Sequence, residues 1–133
     1  MSDAGEDMTA FVRYRLEKVE EVYKAAEILY AAEQWNSAVN RLYYACFYVA
    51  SALLLNRNIG AKSHTGVLGM FSEKIVRSGE ISSEKFRVYS KLLNWRTKGD
   101  YSDLFDFSKE DVDSVMTPTR DFIDEVKKLI VLP

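Results

Sequence analysis

The feature that most constrains this chain is a stretch from about Trp35 to Leu55 that is apolar on nearly every side. It includes "LYYACFYVASALLL" at residues 42–55, in a chain where no segment shows the alternation typical of a strand. A helix that is apolar all round must be covered by other elements to be stable in water. The sequence therefore predicts a central helix that is surrounded by further helices.

The remaining sequence has the helical period needed to cover such a helix. Four further helices are predicted: from about Met8 to Ala32, from the 56–65 loop to Gly79, from a cap at Ser82 or Ser83 to Gly99, and from a cap at Ser108 with Asp111 in its first turn. Pro118 lies within the last helix and should kink or split it, because proline lacks an N–H donor and its ring clashes with the preceding turn.

These patterns predict an all-α, antiparallel bundle of about five helices, with the last one kinked near Pro118. The 133 residues fit one domain, 1–133, in which residues 1–7 form a flexible N-terminus. Short connections between the helices favour antiparallel neighbours.

Composition narrows the function classes. The net charge of −2 provides no bulk attraction to nucleic acid or anionic lipid, so nucleotide or RNA binding would have to be local, and DNA is not expected as a partner. One histidine is too few for a His-rich metal site, and neither a metal nor a cofactor is expected. The 42–55 stretch is shorter than the roughly 20 residues needed to span a bilayer, so no membrane association is expected.

The cellular compartment is predicted from the cysteine count and the N-terminus. Cys46 is the single cysteine, which rules out a disulfide within the chain and suits a reducing compartment. It lies in the apolar helix, where a buried structural thiol is expected. The N-terminus "MSDAGEDMTA" is acidic and polar, unlike a signal peptide. A cytoplasmic protein is the resulting expectation.

The first candidate site lies in "NWRTKGDYSD" at residues 94–103, which contains Arg96, Asp100 and Tyr101. Arg96 occupies the last turn of the fourth predicted helix, where a cation interacts favourably with the helix dipole, and Asp100 could reach back to it in an ion pair. In the functional alternative, Arg96 binds a phosphate and Tyr101 serves as a hydrogen-bond donor or stacking ring. The residues leave both interpretations open.

The second candidate is a polar-edged stripe on the central helix. It consists of Asn36, Asn40, Tyr44, Tyr48 and Ser51, with Arg41 beside it. Polar groups on a buried helix need partners. Asn40 and Arg41 could bind Asp100 and Tyr101 or face a cleft, and Tyr44, Phe47 and Tyr48 could alternatively form a dimer seam.

The third candidate is "RNIGAKSH" at residues 57–64, a loop that carries Arg57, Lys62, Ser63 and His64. A lone histidine in a loop often has no special role. Here, however, Ser63 and His64 precede the N-terminus of a predicted helix, which is a natural anion site.

Four segments together resemble the HEPN domains (higher eukaryotes and prokaryotes nucleotide-binding): "SAVNRLYYACFYVASALL" (37–54), "KSHTGVLGMFSEKIVRSG" (62–79), "RTKGDY" (96–101) and "FIDEVKKLI" (122–130). The resemblance covers residues 8–131 and is closest to the short, uncharacterised prokaryotic branch of that superfamily. It implies an antiparallel α-bundle that commonly dimerises. Such proteins are often encoded beside a minimal nucleotidyltransferase as toxin–antitoxin pairs.

Many HEPN proteins are metal-independent ribonucleases, and the resemblance implies what to look for. Their signature is an arginine followed after four to six residues by a histidine, which assists attack by the RNA 2′-hydroxyl while the arginine steadies the phosphate. No histidine follows Arg96, and Asp100 stands in that slot. Aspartate, with an unperturbed pKa of about 4, is a weak base and repels phosphate. The literal spacing occurs instead from Arg57 to His64.

The sequence therefore favours a nucleotide- or RNA-binding HEPN-type module, one component of a toxin–antitoxin-like pair with a nucleotidyltransferase, and itself a homodimer. Its predicted binding residues are Arg96 on the phosphate, Asp100 orienting it, Tyr101 as donor or stacking ring, Asn40, Arg41 and Tyr44 lining the cleft, and Lys62, Ser63 and His64 at the rim.

Two alternatives stay open. In the first, the protein is a metal-independent RNA endonuclease in which Arg96 works with His64 as base. His64 would then reach Arg96 by folding back or by coming from a second protomer. In the second, the protein is a dimerising scaffold, and the Arg96–Asp100–Tyr101 cluster only locks a helix turn.

Overall fold

The computed structural model describes the backbone of residues 3–101 and 106–133, and the side chains of 7–97 and 106–133. In those ranges the chain forms helices and no strands. The helices are α1 (Asp3–Ala31), α2 (Trp35–Asn56), α3 (His64–Phe71), α4 (Ser83–Tyr101) and α5 (Lys109–Lys127), and a π-helical segment (Ser72–Val76) continues α3 directly. The predicted all-α bundle of five helices is confirmed.

The centre of the bundle is α2, which contacts α1, α3, α4 and α5. Its side chains supply much of the core, including the fully buried Leu42, Tyr43 and Leu53. Cys46 is also fully buried, and burial raises the pKa of its thiol, so the predicted structural role of this cysteine is confirmed. Burial on all sides is what an apolar helix of this kind requires.

The length argument made from residues 42–55 was wrong, because the helix is longer than that stretch. At 22 residues, α2 is long and apolar enough to cross a membrane by length and composition alone. However, 67% of its most apolar window is buried inside the bundle. Its apolar surface is therefore already covered by the neighbouring helices, as in a core helix.

Local capping chemistry sets two of the helix starts. Ser108 and Asp111 form a reciprocal capping box, in which the Asp111 N–H donates to Ser108 Oγ (3.1 Å) and the Ser108 N–H donates to Asp111 Oδ2 (2.9 Å). At the start of α4, Ser82 Oγ accepts from the Lys85 N–H at 3.1 Å, so Ser82 is the capping residue of the two predicted. Gly79 has a φ of +88° and ends the preceding helical stretch, as predicted.

Two predicted helix breaks do not occur. The helix α4 continues past Gly99 to Tyr101, because glycine lowers helix propensity by about 1 kcal/mol but does not by itself end a helix. Likewise α5 runs without interruption through Pro118, so the split predicted there was wrong, and the kink stays a prediction. Thr119 and Phe122, just beyond the proline, are fully buried and hold the second half of the helix in place. At the other end of the chain, α1 begins at Asp3, upstream of the predicted start at Met8.

Candidate functional site

Two consecutive tyrosines of α2 form the floor of the candidate site. The rings of Tyr43 and Tyr44 lie edge to face with centroids 5.2 Å apart. Tyr43 is fully buried, whereas Tyr44 is half-buried at the surface. Consecutive residues of a helix point about 100° apart, which allows one ring to reach the core and the other to border solvent. The pair is therefore a rigid aromatic platform with one accessible edge.

His64 reaches this platform from the first turn of α3. Its Nδ1 lies 2.6 Å from the Tyr43 hydroxyl, and its ring stacks on Phe47 with centroids 4.5 Å apart. Ser63 fixes the helix start that carries the histidine, because its Oγ accepts from the Gly66 N–H at 2.9 Å. A hydrogen bond and a ring stack together hold the imidazole in one orientation.

Arg96 reaches the same platform from α4. Its Nη2 donates to the Tyr44 hydroxyl at 3.3 Å, and its guanidinium carbon lies 5.3 Å from the Tyr43 ring centroid and 5.5 Å from that of Tyr44. Guanidinium groups interact favourably with aromatic faces at such distances. His64 and Arg96 therefore meet on the Tyr43–Tyr44 pair within one chain, and no second protomer is needed to bring the histidine to the arginine.

A second guanidinium flanks Tyr44. The Arg41 guanidinium carbon lies 5.1 Å from the Tyr44 ring centroid. Its Nη2 and Nε donate to Asn40 Oδ1 at 2.7 and 3.3 Å. The predicted cleft residues Asn40, Arg41 and Tyr44 are thus linked to one another. Both guanidinium groups contact the Tyr44 ring, with their carbons 5.1 Å (Arg41) and 5.5 Å (Arg96) from its centroid.

The protonation states of the site follow from its burial and charge. Burial lowers the pKa of His64 below its usual 6.5, and the positive charge of Arg96 lowers that pKa further. Burial raises the pKa of Tyr43, although Arg96 partly opposes this rise. At neutral pH the imidazole is therefore mainly uncharged and the phenol keeps its proton.

This pairing allows the imidazole to work in either direction. A phenol both donates and accepts hydrogen bonds. When Tyr43 accepts from Nδ1–H, the His64 Nε2 has a lone pair and can take up a proton. When Tyr43 donates to Nδ1, Nε2 carries the proton and can release it. The geometry therefore suits general acid and general base chemistry next to a fixed cation.

The other residues that the sequence singled out as candidates have different positions and partners in the structure. Arg57 forms a bidentate pair with Glu80, with both N···O distances 2.7 Å, so the Arg57–His64 spacing does not mark a second site. Ser63 caps α3, while Lys62 is exposed and lines a neighbouring cleft with Phe47. The side chains of Asp100 and Tyr101 lie outside the described residues, as do the hydrogen bonds predicted for them with Asn40 and Arg41.

The rest of the polar stripe on α2 has structural partners. Asn36 donates to Asp106 Oδ1 at 3.0 Å and accepts from the Phe107 N–H at 2.8 Å, so it ties the start of α2 to the segment before α5. Ser51 donates to the Tyr48 carbonyl oxygen at 3.1 Å.

Sequence reasoning missed Tyr43, whose hydroxyl lies within hydrogen-bond distance of His64 Nδ1 (2.6 Å). The stripe argument selected polar-edged positions and therefore chose Tyr44, whereas Tyr43 lies on the buried side of α2. The available signal was the phenol itself, because a buried tyrosine usually needs a hydrogen-bond partner for its hydroxyl.

The fold and site define a small helical-bundle domain with an arginine and a histidine on a tyrosine pair. The model of the HEPN domain family matches residues 12–129. A UPF0332 protein of Thermotoga maritima is 35% identical over 119 residues, 90% of either chain. Two proteins of Methanocaldococcus jannaschii, both named as candidate toxins, are 34% and 35% identical, covering 87% and 93% of this chain and 79% and 92% of their own lengths. The chain belongs to the HEPN family.

Proposed function

We propose that this chain is a toxin-like HEPN module that binds the phosphate of RNA or of a nucleotide at Arg96. The observation that carries the proposal is the meeting of Arg96 and His64 on the Tyr43–Tyr44 pair. A guanidinium is the side chain best suited to binding phosphate oxygens in pairs. Two relatives that align with most of the chain are named as candidate toxins, which supports a toxin-like role.

Each neighbour of Arg96 has a part in this proposal. The Tyr44 hydroxyl and the nearby Arg41 supply further donors at the accessible edge, and the Tyr44 ring offers a face on which a base can stack. Asp100 as an orienting partner and Tyr101 as a donor or stacking ring remain sequence predictions. In this proposal the positive charge that faces the phosphate comes from arginine side chains.

A second candidate function, a metal-independent RNA endonuclease, is favoured by the state of His64. The imidazole is mainly neutral at pH 7 and held by Tyr43, which is the condition for a general base. His64 Nε2 would take the proton of an RNA 2′-hydroxyl while that oxygen attacks the adjacent phosphorus. The bond from phosphorus to the 5′-oxygen then breaks, the leaving oxygen takes up a proton from the solvent, and a 2′,3′-cyclic phosphate and a 5′-hydroxyl remain. The protonated His64 returns its proton to the solvent. Arg96 would stabilise the charge on the phosphate.

The wider setting is part of the proposal and rests on the family. We infer a homodimer located in the cytoplasm, working with a nucleotidyltransferase-domain protein as its toxin–antitoxin partner. Co-expression with the nucleotidyltransferase of a neighbouring gene, followed by purification through a tag on that protein, would test the pairing. Recovery of this chain in constant stoichiometry supports it, and recovery of the tagged protein alone contradicts it.

Binding is tested by titrating a labelled single-stranded RNA and a nucleoside monophosphate into the wild type, Arg96→Ala and Arg96→Lys. Arg57→Ala is the matched control, because Arg57 pairs with Glu80 away from the site. Loss of a charge-assisted contact should weaken binding about 10- to 100-fold in Arg96→Ala. Arg96→Lys should recover only part of that loss, because lysine lacks the planar fork. Equal affinities for the Arg96→Ala variant and the control would contradict the proposal.

Catalysis is tested with the same samples and His64→Ala, in excess chelator. Cleavage that leaves 2′,3′-cyclic phosphate ends, and that is lost in Arg96→Ala and His64→Ala but kept in Arg57→Ala, would establish the endonuclease. If the folded wild type binds RNA but does not cleave it, the protein is a binding module and not an endonuclease. If the wild type binds neither ligand and Arg96→Ala only lowers the melting temperature, the scaffold interpretation holds.

A further inference from the structure

A second cleft, of about 270 Å³, lies between α1, α2 and the loop that precedes α3. Its lining combines three cations and three aromatic rings: Arg15, Lys18, Lys62, Tyr14, Phe47 and Tyr48. None of the described residues that line it is acidic. In a chain with a net charge of −2, this is a local concentration of positive charge.

The cleft between α4 and α5 shows that this lining is not a general property of the surface. That cleft has a similar volume, about 290 Å³, and is also lined by three cations, Lys85, Arg87 and Lys91. However, Glu84 and Asp121 line it as well, and Lys85 forms an ion pair with Asp121 at 3.8 Å. No aromatic ring is among its described lining residues.

A row of α2 rings joins the α1–α2 cleft to the Arg96 site. Phe47 lines the cleft and also stacks on His64 at 4.5 Å. Tyr48 lines the cleft too, and its ring centroid lies 5.8 Å from that of Tyr44, whose hydroxyl accepts from Arg96. A strand whose phosphate lies at Arg96 can therefore continue over these rings into the cleft.

We propose that the α1–α2 cleft binds single-stranded RNA that continues from the phosphate held at Arg96. This inference rests on the proposed function and specifies its ligand as a strand several nucleotides long. Unpaired bases stack on aromatic side chains while basic groups follow the backbone, which is how single strands are bound without sequence preference. Bases in a duplex stack on one another and have no free faces for these rings.

Two details of the lining suit this ligand. The Tyr14 residue is 56% exposed, and the Lys18 ammonium lies 5.6 Å from the centroid of its ring. Lys18 also pairs with Glu21 at 3.4 Å, but an exposed ion pair of this kind contributes little to stability. A phosphate can replace that partner at small cost.

The experiment compares two triple variants with equal changes in charge. The cleft variant carries Arg15→Gln, Lys18→Gln and Lys62→Gln, and its control carries Lys85→Gln, Arg87→Gln and Lys91→Gln. Fluorescence anisotropy measures their affinity for a nucleoside monophosphate and for a single-stranded RNA of about eight nucleotides. The substituted side chains lie at the surface or line open clefts, and circular dichroism checks that both variants are folded.

The cleft variant should bind the RNA at least about tenfold more weakly than the wild type, with nearly unchanged affinity for the monophosphate. The slope of log affinity against log salt should become shallower by about 2, since each phosphate contact on a single strand contributes about 0.7. The control variant should show a smaller loss and a wild-type slope. Equal losses in the two variants would overturn the inference.

A single-residue pair tests the stacking part. Tyr14→Ala should weaken RNA binding about tenfold. Phe11→Ala should have no effect, because Phe11 is similarly exposed on the same helix (60%) but does not line the cleft. Equal behaviour of the two variants contradicts stacking on Tyr14.

Failure of the inference and failure of the proposed function have different signatures. If Arg96→Ala weakens binding of both ligands while the cleft variant behaves as its control, the phosphate site at Arg96 is supported and RNA binding in the α1–α2 cleft is contradicted. If the wild type binds neither the monophosphate nor the RNA, both the proposed function and RNA binding in the α1–α2 cleft are contradicted.

Discussion

Replacing Tyr89 by phenylalanine should raise the free energy of unfolding, whereas the same substitution at Tyr43 should lower it. Both tyrosines are fully buried, and their ring centroids lie 6.3 Å apart. They differ at the hydroxyl. That of Tyr43 lies 2.6 Å from His64 Nδ1, whereas that of Tyr89 has no hydrogen-bond partner among the residues that the structure describes. The pair therefore isolates the effect of satisfying a buried phenol.

The magnitudes follow from the burial of a polar group. A buried hydroxyl without a partner costs about 1 to 3 kcal/mol, and removing it recovers that cost. The void left behind, about 15 Å³, costs about 0.4 kcal/mol at 24 cal/mol per Å³. Tyr89→Phe should therefore stabilise the fold by about 1 kcal/mol. Tyr43→Phe loses a hydrogen bond of about 1 kcal/mol and leaves a similar void, so it should destabilise by about 1.5 kcal/mol.

Urea denaturation monitored by circular dichroism measures both changes, provided that the slopes with denaturant stay equal. The Tyr89→Phe variant should have a higher urea midpoint than the wild type, and the Tyr43→Phe variant should have a lower one. Equal destabilisation of the two variants would refute the reasoning, because it would mean that the Tyr89 hydroxyl is satisfied in the protein.

Three further predictions concern other parts of the chain. The hydrogen bond from Arg120 lowers the pKa of Glu20 from 4.5 to about 2 against an opposing effect of burial. The resulting stability is present above pH 4.5 and is lost as pH falls toward 2. Glu20→Gln should therefore reduce the fall in the free energy of unfolding between pH 4.5 and 2. The reduction should be less than about 1 kcal/mol, because the Glu20 side chain is 47% exposed and its charge is screened by solvent. Measuring the unfolding free energy of both proteins against pH would test this. Ser108→Ala should cost about 1 kcal/mol in urea denaturation by removing half of a capping box, and an unchanged midpoint would contradict that role. Arg57→Ala should leave RNA affinity unchanged in the titrations in which Arg96→Ala weakens it. A loss of affinity as large as that of Arg96→Ala would show that Arg57 belongs to the binding site.

The bundle was predictable because its determinants are local in the sequence. The apolar surface of α2 demands covering helices, and the capping box at Ser108 needs only residues three positions apart. The two wrong predictions, a helix end at Gly99 and a helix split at Pro118, also came from reading local residue types. Glycine and proline change helix propensity, but tertiary packing decides whether a helix continues, and the buried residues after Pro118 outweigh the broken backbone ladder.

The π-helical segment shows a related limit. The Arg77 N–H donates to the Ser72 carbonyl five residues back, at 3.0 Å. An α-helix and a π-helix of the same sequence differ by one residue in their hydrogen-bond register, and side-chain packing selects between them. Hydrophobic spacing alone therefore predicted an ordinary helix up to Gly79.

The candidate site was only half predictable. Arg96 and His64 were each identified by residue type and position, but their meeting depends on how α3 and α4 dock on α2. That docking is a property of the packed bundle and leaves no spacing signal between residues so far apart along the chain. Tyr43 was missed because its ring belongs to the core while its hydroxyl belongs to the site.

The distribution of this site over three helices has a consequence for the growing chain. During synthesis, α2 with its two tyrosines and the start of α3 with His64 leave the ribosome before the half of α4 that carries Arg96. A nascent chain at that stage holds the imidazole without its guanidinium. The cluster is completed only when α4 packs against α2, so the arginine and the histidine can act together only after α4 has been synthesised and has docked.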